Sequence, residues 1–286
     1  MARVAHWVQA GTIEFYPTAT LRQLYQAPFS EFAILHLYLL TGSDRLANFV
    51  QFVSFIGCAL AASLIAQHSG LEKRSQLAAA LIAVTIPMAV IQASSTNNDL
   101  VVSLFVLLFF YFFLKAAETE SRADLLFAGL SLGLALFSKT TALIYCFPIG
   151  LLIVLSYFFR HGISKKNTRF LLQTGAVLIL AVLINSQQYA RNCETFGSPV
   201  TDGGEPVTNQ RLTLPIIGSN LLRNYVFHLS TNTLLDDRIE SFVRGVLGSE
   251  VDNPDSNLRN FRYRFEFSMN ENQVGNLIHT ILLTII

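Results

Sequence analysis

Charge is scarce in this sequence. Only 14% of its 286 residues are Asp, Glu, Lys or Arg, against 52% hydrophobic residues that include 23 Phe, and the mean hydropathy is +0.45. That balance excludes a soluble globular domain and indicates an integral membrane protein. Cysteine is scarcer still. Cys58 and Cys146 lie inside apolar runs and only Cys193 lies near water, so the three give no disulfide framework. No His-x-x-x-His or Cys-x-x-Cys pair occurs, which removes metal-ligand spacing. A Walker-type glycine-rich loop is also missing, because Gly203-Gly204 is too short to cradle phosphates. A net charge of +1 without a basic stripe argues against nucleic acid as a partner. No secretory signal peptide is expected, since Arg3, His6 and Gln9 interrupt the opening residues.

What is abundant is apolar runs. They predict spans at 46–66, 77–93, 100–114, a hairpin of 125–137 with 141–159, and 170–184, with a last run at 277–286. Three of these are short: 100–114 and 170–184 have fifteen residues each and 125–137 has thirteen. At 1.5 Å per residue each covers only about 20 Å of a ~30 Å hydrocarbon core. Their polar ends, at Asp99, Lys139 and Asn185, are therefore expected below the lipid surface, where charge is expensive unless it faces a wet or paired cavity. The loops 68–76, 115–124 and 160–169 hold eight Lys and Arg, whereas the short opposite connections 94–99 and 138–140 hold Lys139 alone. The positive-inside rule puts the eight in the cytoplasm and turns Asp99, Lys139 and Asn185 outward.

The chain divides into four parts on this reading. Residues 1–44 form an extracytoplasmic segment, in which 29–40 reads as a helix lying in the interface or over the bundle mouth. Residues 45–185 form the transmembrane bundle. Residues 186–275 are polar and extracytoplasmic, with helical spacing at 220–229 and 236–247 and a turn-rich break at 253–257. Residues 276–286 begin another transmembrane helix. Both ends read as cut. The fold class expected is all-α, a polytopic transmembrane helical bundle with a helical extracytoplasmic segment.

Four stretches carry a resemblance: Arg3-Val-Ala-His-Trp with Phe15-Tyr-Pro; Ser94-Ser-Thr-Asn-Asn-Asp99; Gly129 to Leu134 leading into Lys139-Thr-Thr; and Tyr189-Ala-Arg191-Asn192 with Gly197-Ser-Pro199. Glu271, Gly275-Asn276 and His279 extend it weakly. Through them the sequence resembles the GT-C membrane glycosyltransferases, in the bacterial branch related to protein O-mannosyltransferases and to lipid A aminoarabinose and galacturonic acid transferases. The resemblance implies transfer of a sugar from a polyprenyl-phosphate donor to a lipid, glycan or protein acceptor, at the outer face of the bacterial inner membrane and among membrane lipids. It implies no certain cofactor, with a divalent cation as an option. It also places the proton-accepting acid in an outer loop upstream of Arg3, so that this chain is expected to be an inactive fragment.

Asp99 matches the second family acid, and Lys139 is placed to neutralise the donor phosphate as it leaves. These two are the catalytic candidates. Asp99 reads equally as a helix N-cap, and Lys139 as a snorkelling lysine. Arg191 and Tyr189 are candidates for gripping substrate phosphate, against the reading of ordinary membrane-border anchors. His6 and Glu31 complete the substrate-binding candidates, against a surface or packing role that they share with His36, Arg22 and His228. No metal-binding residue is expected. A secondary transporter explains intramembrane charge as well but calls for inverted broken helices, and a non-catalytic remnant is the other alternative.

Overall fold

The computed structural model describes residues 1–162, 165–200, 213–230, 234–253, 263 and 274–285. Among these every regular element is a helix. The chain is an all-α polytopic membrane protein, as its composition requires.

The first unit comprises residues 1–85 and 92–203. It opens with α1 (Ala2–Ala10), α2 (Arg22–Tyr25) and α3 (Phe29–Thr41), continues with α4 (Phe49–His68) and α5 (Lys73–Thr85), and, after α6 (Pro87–Gln92), all but the last residue of which belongs to the second unit, forms the bundle of α7 (Asp99–Thr119), α8 (Arg122–Ser138), α9 (Ala142–His161) and α10 (Lys165–Phe196). Among the described residues four helices are long and apolar enough to cross a membrane, at Phe49–His68, Asp99–Thr119, Ala142–His161 and Asn167–Phe196.

Two expectations from the runs are corrected. The run 77–93 is not one helix, because Pro87 lacks an N–H and α5 stops at Thr85, whose hydroxyl turns back to the Leu81 carbonyl at 2.8 Å. The short runs 100–114 and 170–184 do not end their helices either. α7 has 21 residues, about 31 Å, and α10 passes straight through Asn185 to Phe196. Lys115, Glu118 and Gln188 are polar, but a helix needs no apolar side chain to keep its backbone bonds. The depth argument for Asp99 and Asn185 therefore falls away, and only α8, with 17 residues, stays short.

α7 is the central element, in contact with α4, α8 and α9. Its phenylalanines join a column of rings: Phe109 on Phe113 at 5.4 Å, Phe113 on Phe170 at 5.9 Å, Phe170 on Tyr157 at 4.0 Å and Tyr157 on His161 at 4.3 Å. Ring stacking of this kind adds to simple burial and ties α7, α9 and α10 together. α8 meets α10 through small residues. A Cβ added at Gly129 would lie 2.8 Å from Leu180, and one at Gly133 would collide with Ile184. This is the small-xxx-small route by which two membrane helices approach closely. Asn185 sits in the same seam, fully buried, and donates to the Gly133 carbonyl at 3.0 Å and the Ala181 carbonyl at 2.8 Å. It is a clamp inside the seam and not a helix end.

The second unit comprises residues 86–91 and 204–286. Its helices are α11 (Leu214–Phe227), α12 (Leu234–Leu247) and α13 (Leu277–Ile285); α11 overlaps the expectation at 220–229 but ends at Phe227, and α12 covers 236–247. Val226, Val243 and Val251 form its small core. Arg244 pairs with both Glu240 and Asp252 at 2.8 Å. Residues 254–257 of the expected turn-rich break, and Glu271 of the family-like stretch, lie outside the described residues.

Candidate functional site

The start of α7 and the end of α8 meet at one end of the bundle. Ser94 to Asn98 leads into α7, and Ser138 ends α8 with Lys139 as its extended C-terminal cap. The Asn98 side chain leaves the α7 cap unmade and reaches instead to the Ser138 carbonyl at 3.0 Å. The free Val101 N–H is met from another helix, donating to Gln51 Oε1 of α4 at 3.2 Å. Asp99 is thereby released from capping. Its Oδ1 lies 2.6 Å from Lys139 Nζ, and its Oδ2 accepts from Gln92 Nε2 at 3.3 Å.

The pair stays accessible, with side-chain exposures of 30% for Lys139 and 37% for Asp99. Exposed ion pairs of this kind contribute about 0–1 kcal/mol to stability. The arrangement therefore offers a cation and a carboxylate held together, at little energetic cost to separate, beside a ring of amides. An anionic oxygen approaching Lys139 would replace a carboxylate oxygen with another oxygen of the same charge type.

A second group lies in the N-terminal helices. Arg3, 5% exposed, has its guanidinium 3.6 Å from Glu31 and donates to the Arg22 carbonyl at 3.2 Å. Burial lowers its pKa most, Glu31 and Tyr16 oppose that, and the Arg191 charge lowers it further. Two guanidiniums thus feel each other here. His6 stacks on Tyr16 at 3.6 Å, and Tyr16 donates to Gln23 at 2.7 Å. Burial raises the Tyr16 pKa, so its hydroxyl stays protonated. Arg191 donates to the Ile13 carbonyl at 3.0 Å and lies 4.2 Å over the Phe15 ring. Tyr189, half-buried, is two residues before it on α10.

Aromatic rings connect the two groups. Trp7 packs on Phe32 at 5.2 Å, and Phe32 and Phe29 lie 6.1 Å and 6.3 Å from Phe137, two residues before Lys139. Helix α3 accordingly packs on α8 and α4. The structure brings Asp99 and Lys139 into contact and gathers His6, Glu31 and Arg191 around Arg3. Sequence reasoning left Gln51, Gln92, Asn98 and Tyr16 out of the site. Gln51 carried a signal, since an amide inside the apolar run 46–66 needs a partner. Among the described residues no group of three or more His, Cys, Asp or Glu is arranged to hold a metal ion.

The family model of dolichyl-phosphate-mannose-protein mannosyltransferases matches residues 26–186, more than half of the chain. The chain belongs to this family. It is a GT-C type membrane glycosyltransferase, and the secondary-transporter reading is set aside. The matched span contains Glu31, Asp99 and Lys139 but not His6, Tyr189 or Arg191. No curated protein and no solved structure matches the chain.

Proposed function

We propose that this glycosyltransferase takes its sugar from a polyprenyl-phosphate carrier and places it on a lipid, glycan or protein acceptor at the extracytoplasmic face of the bacterial inner membrane. The observation that carries this reading is the 2.6 Å contact between Lys139 and Asp99 at an accessible end of the bundle. In such a transfer the bond from the sugar anomeric carbon to phosphate oxygen breaks, the acceptor oxygen bonds to that carbon, and the acceptor loses a proton. Charge on the leaving phosphate grows as the bond breaks, and a preorganised ammonium lowers the barrier where that charge develops. Lys139 supplies this contact, and Asp99 holds the ammonium in place and orients the acceptor. The family resemblance assigns the proton-accepting acid to another loop, and Asp99 is not given that task. Arg191, Tyr189, His6 and Glu31 are assigned to substrate binding around the outer segment, Arg191 by its capacity to grip phosphate oxygens.

Sidedness and donor can be tested together. In membranes, native Cys193, exposed on α10, should react with an impermeant maleimide added from outside. A Ser69→Cys variant lacking Cys193 should stay protected. Transfer should use polyprenyl-phosphate sugars and leave soluble nucleotide sugars untouched. Reversed labelling would reject the outer site, and turnover of a nucleotide sugar would reject the carrier.

A further inference from the structure

At the other end of α7 lies a groove that the transfer reaction does not use. It opens between α7 and α9, holds about 690 Å³, and runs from Phe110 to Glu118, the latter roughly 28 Å along the helix from Asp99. Its walls are apolar, with Phe110 and Leu114 from α7 and Ile149, Leu152 and Ile153 from α9. One end is polar, with Arg160 and His161 beside Glu118.

The charges at that end are unequally committed. Elsewhere on this end Arg169 is matched by Glu120 at 3.0 Å and Lys115 by Asp124 at 3.1 Å. Glu118 lies 3.1 Å from His68 Nε2, and Arg160 reaches it only at 3.8 Å, with a side chain that is 66% exposed. His161 holds the Tyr157 carbonyl through Nδ1 at 3.0 Å, which leaves Nε2 directed elsewhere. Arg160 is thus a loosely held guanidinium at the mouth of a slot whose walls admit only hydrocarbon.

We infer that this groove binds an anionic phospholipid, with one acyl chain between α7 and α9 and its phosphate on Arg160, beside His161. Three arguments select this occupant. A slot between two spanning helices is reached from the bilayer, so its solvent is lipid. Its volume falls within the ~300–1,000 Å³ of ordinary ligand sites. A guanidinium matches phosphate oxygens bidentately, and basic pockets between spans take anionic headgroups.

The test is thermal unfolding of the purified full chain in detergent with added phosphatidylglycerol, phosphatidylcholine or glycerol phosphate. Near tenfold excess over Kd, phosphatidylglycerol should raise Tm by about 4 °C more than phosphatidylcholine does. Glycerol phosphate, lacking the chain, should give no shift. Arg160→Gln should erase the excess, and so should Leu152→Trp, which fills the slot. Phe159→Ala, on an 88% exposed side chain outside the groove lining, should keep it. Equal shifts from both lipids, an equal shift from glycerol phosphate, or an excess that survives Arg160→Gln would each overturn the inference. Arg160 is on the surface, so its variant decides the matter whatever Leu152→Trp does to folding.

Discussion

At the α7–α8 turn one carboxylate, Asp124, is built into the structure, whereas at the other end of α7 the carboxylate of Asp99 stands apart from it. Asp124 is 9% exposed. It pairs with Lys115 at 3.1 Å, accepts from Thr119 at 3.4 Å, and its N–H is capped by Ser121 at 3.3 Å, so one carboxylate fixes the α7–α8 turn. The ring column from Phe109 to His161 packs toward that same end. At the other end, the Asp99 and Lys139 side chains bond to each other and to the Gln92 amide, while the helix end itself is secured by Gln51 and Asn98. The same chemical pair, carboxylate with lysine, therefore does two jobs. Where the backbone depends on it the pair is structural, and where amides carry the backbone the fold does not need the pair, which is what its proposed role in transfer requires.

That comparison can be broken or sharpened by substitution. The largest effect is expected from Lys139→Met, which keeps the apolar stem and removes the charge, with kcat here and below read in a transfer-competent form of the protein that includes the proton-accepting acid. Loss of a preorganised electrostatic contact costs about 3 kcal/mol, or a hundredfold in kcat, while Tm should move little. Asp124→Ala should show the reverse, losing about 2 kcal/mol of stability because Lys115 is stranded and the turn is loosened, with kcat per folded molecule unchanged. Equal kinetic defects in both variants would erase the distinction between the two ends. Next comes Gly133→Ala, whose added methyl must displace Ile184. Overpacking of this kind costs about 1–3 kcal/mol, read as a lower midpoint in thermal or denaturant unfolding in detergent. The smallest effect is expected from Asn185→Leu. It loses the bond to Gly133, worth about 0.6 kcal/mol in a membrane bundle, but it also removes a buried Oδ1 that has no partner. A loss above about 2 kcal/mol would show that the α8–α10 seam depends on its amide more than on its glycines.

Much of the fold was legible in the sequence because hydrocarbon imposes simple rules. Long apolar runs marked α4, α7 and α9, and the apolar stretch with Glu31 and His36 marked α3 as a helix over the bundle end. What misled was taking the end of apolar character for the end of a helix. Lys115 to Thr119 and Gln187 to Phe196 continue their helices through polar residues, because backbone bonds persist where side chains turn to water or to a neighbouring helix. Pro87 divided the run 77–93 for the opposite reason, ending a helix inside apolar sequence. Asp99 and Lys139 could each be singled out by residue type and position. Their contact could not be read, since it depends on how α7 and α8 meet at their far ends, forty residues apart in the chain. Gln51 was legible in principle as an amide in an apolar run, but its partner, a backbone N–H on another helix, leaves no mark in sequence.

The most direct test of the account is the double-mutant cycle on kcat at saturating carrier, with Tm measured on each protein. If Asp99 acts by holding Lys139, Asp99→Asn should lower kcat severalfold, Lys139→Met about a hundredfold, and the double variant no further than Lys139→Met alone. All four proteins should unfold within about 1 kcal/mol of one another. Near-normal kcat in both single variants, with folding intact, would remove the pair from the site and contradict the account.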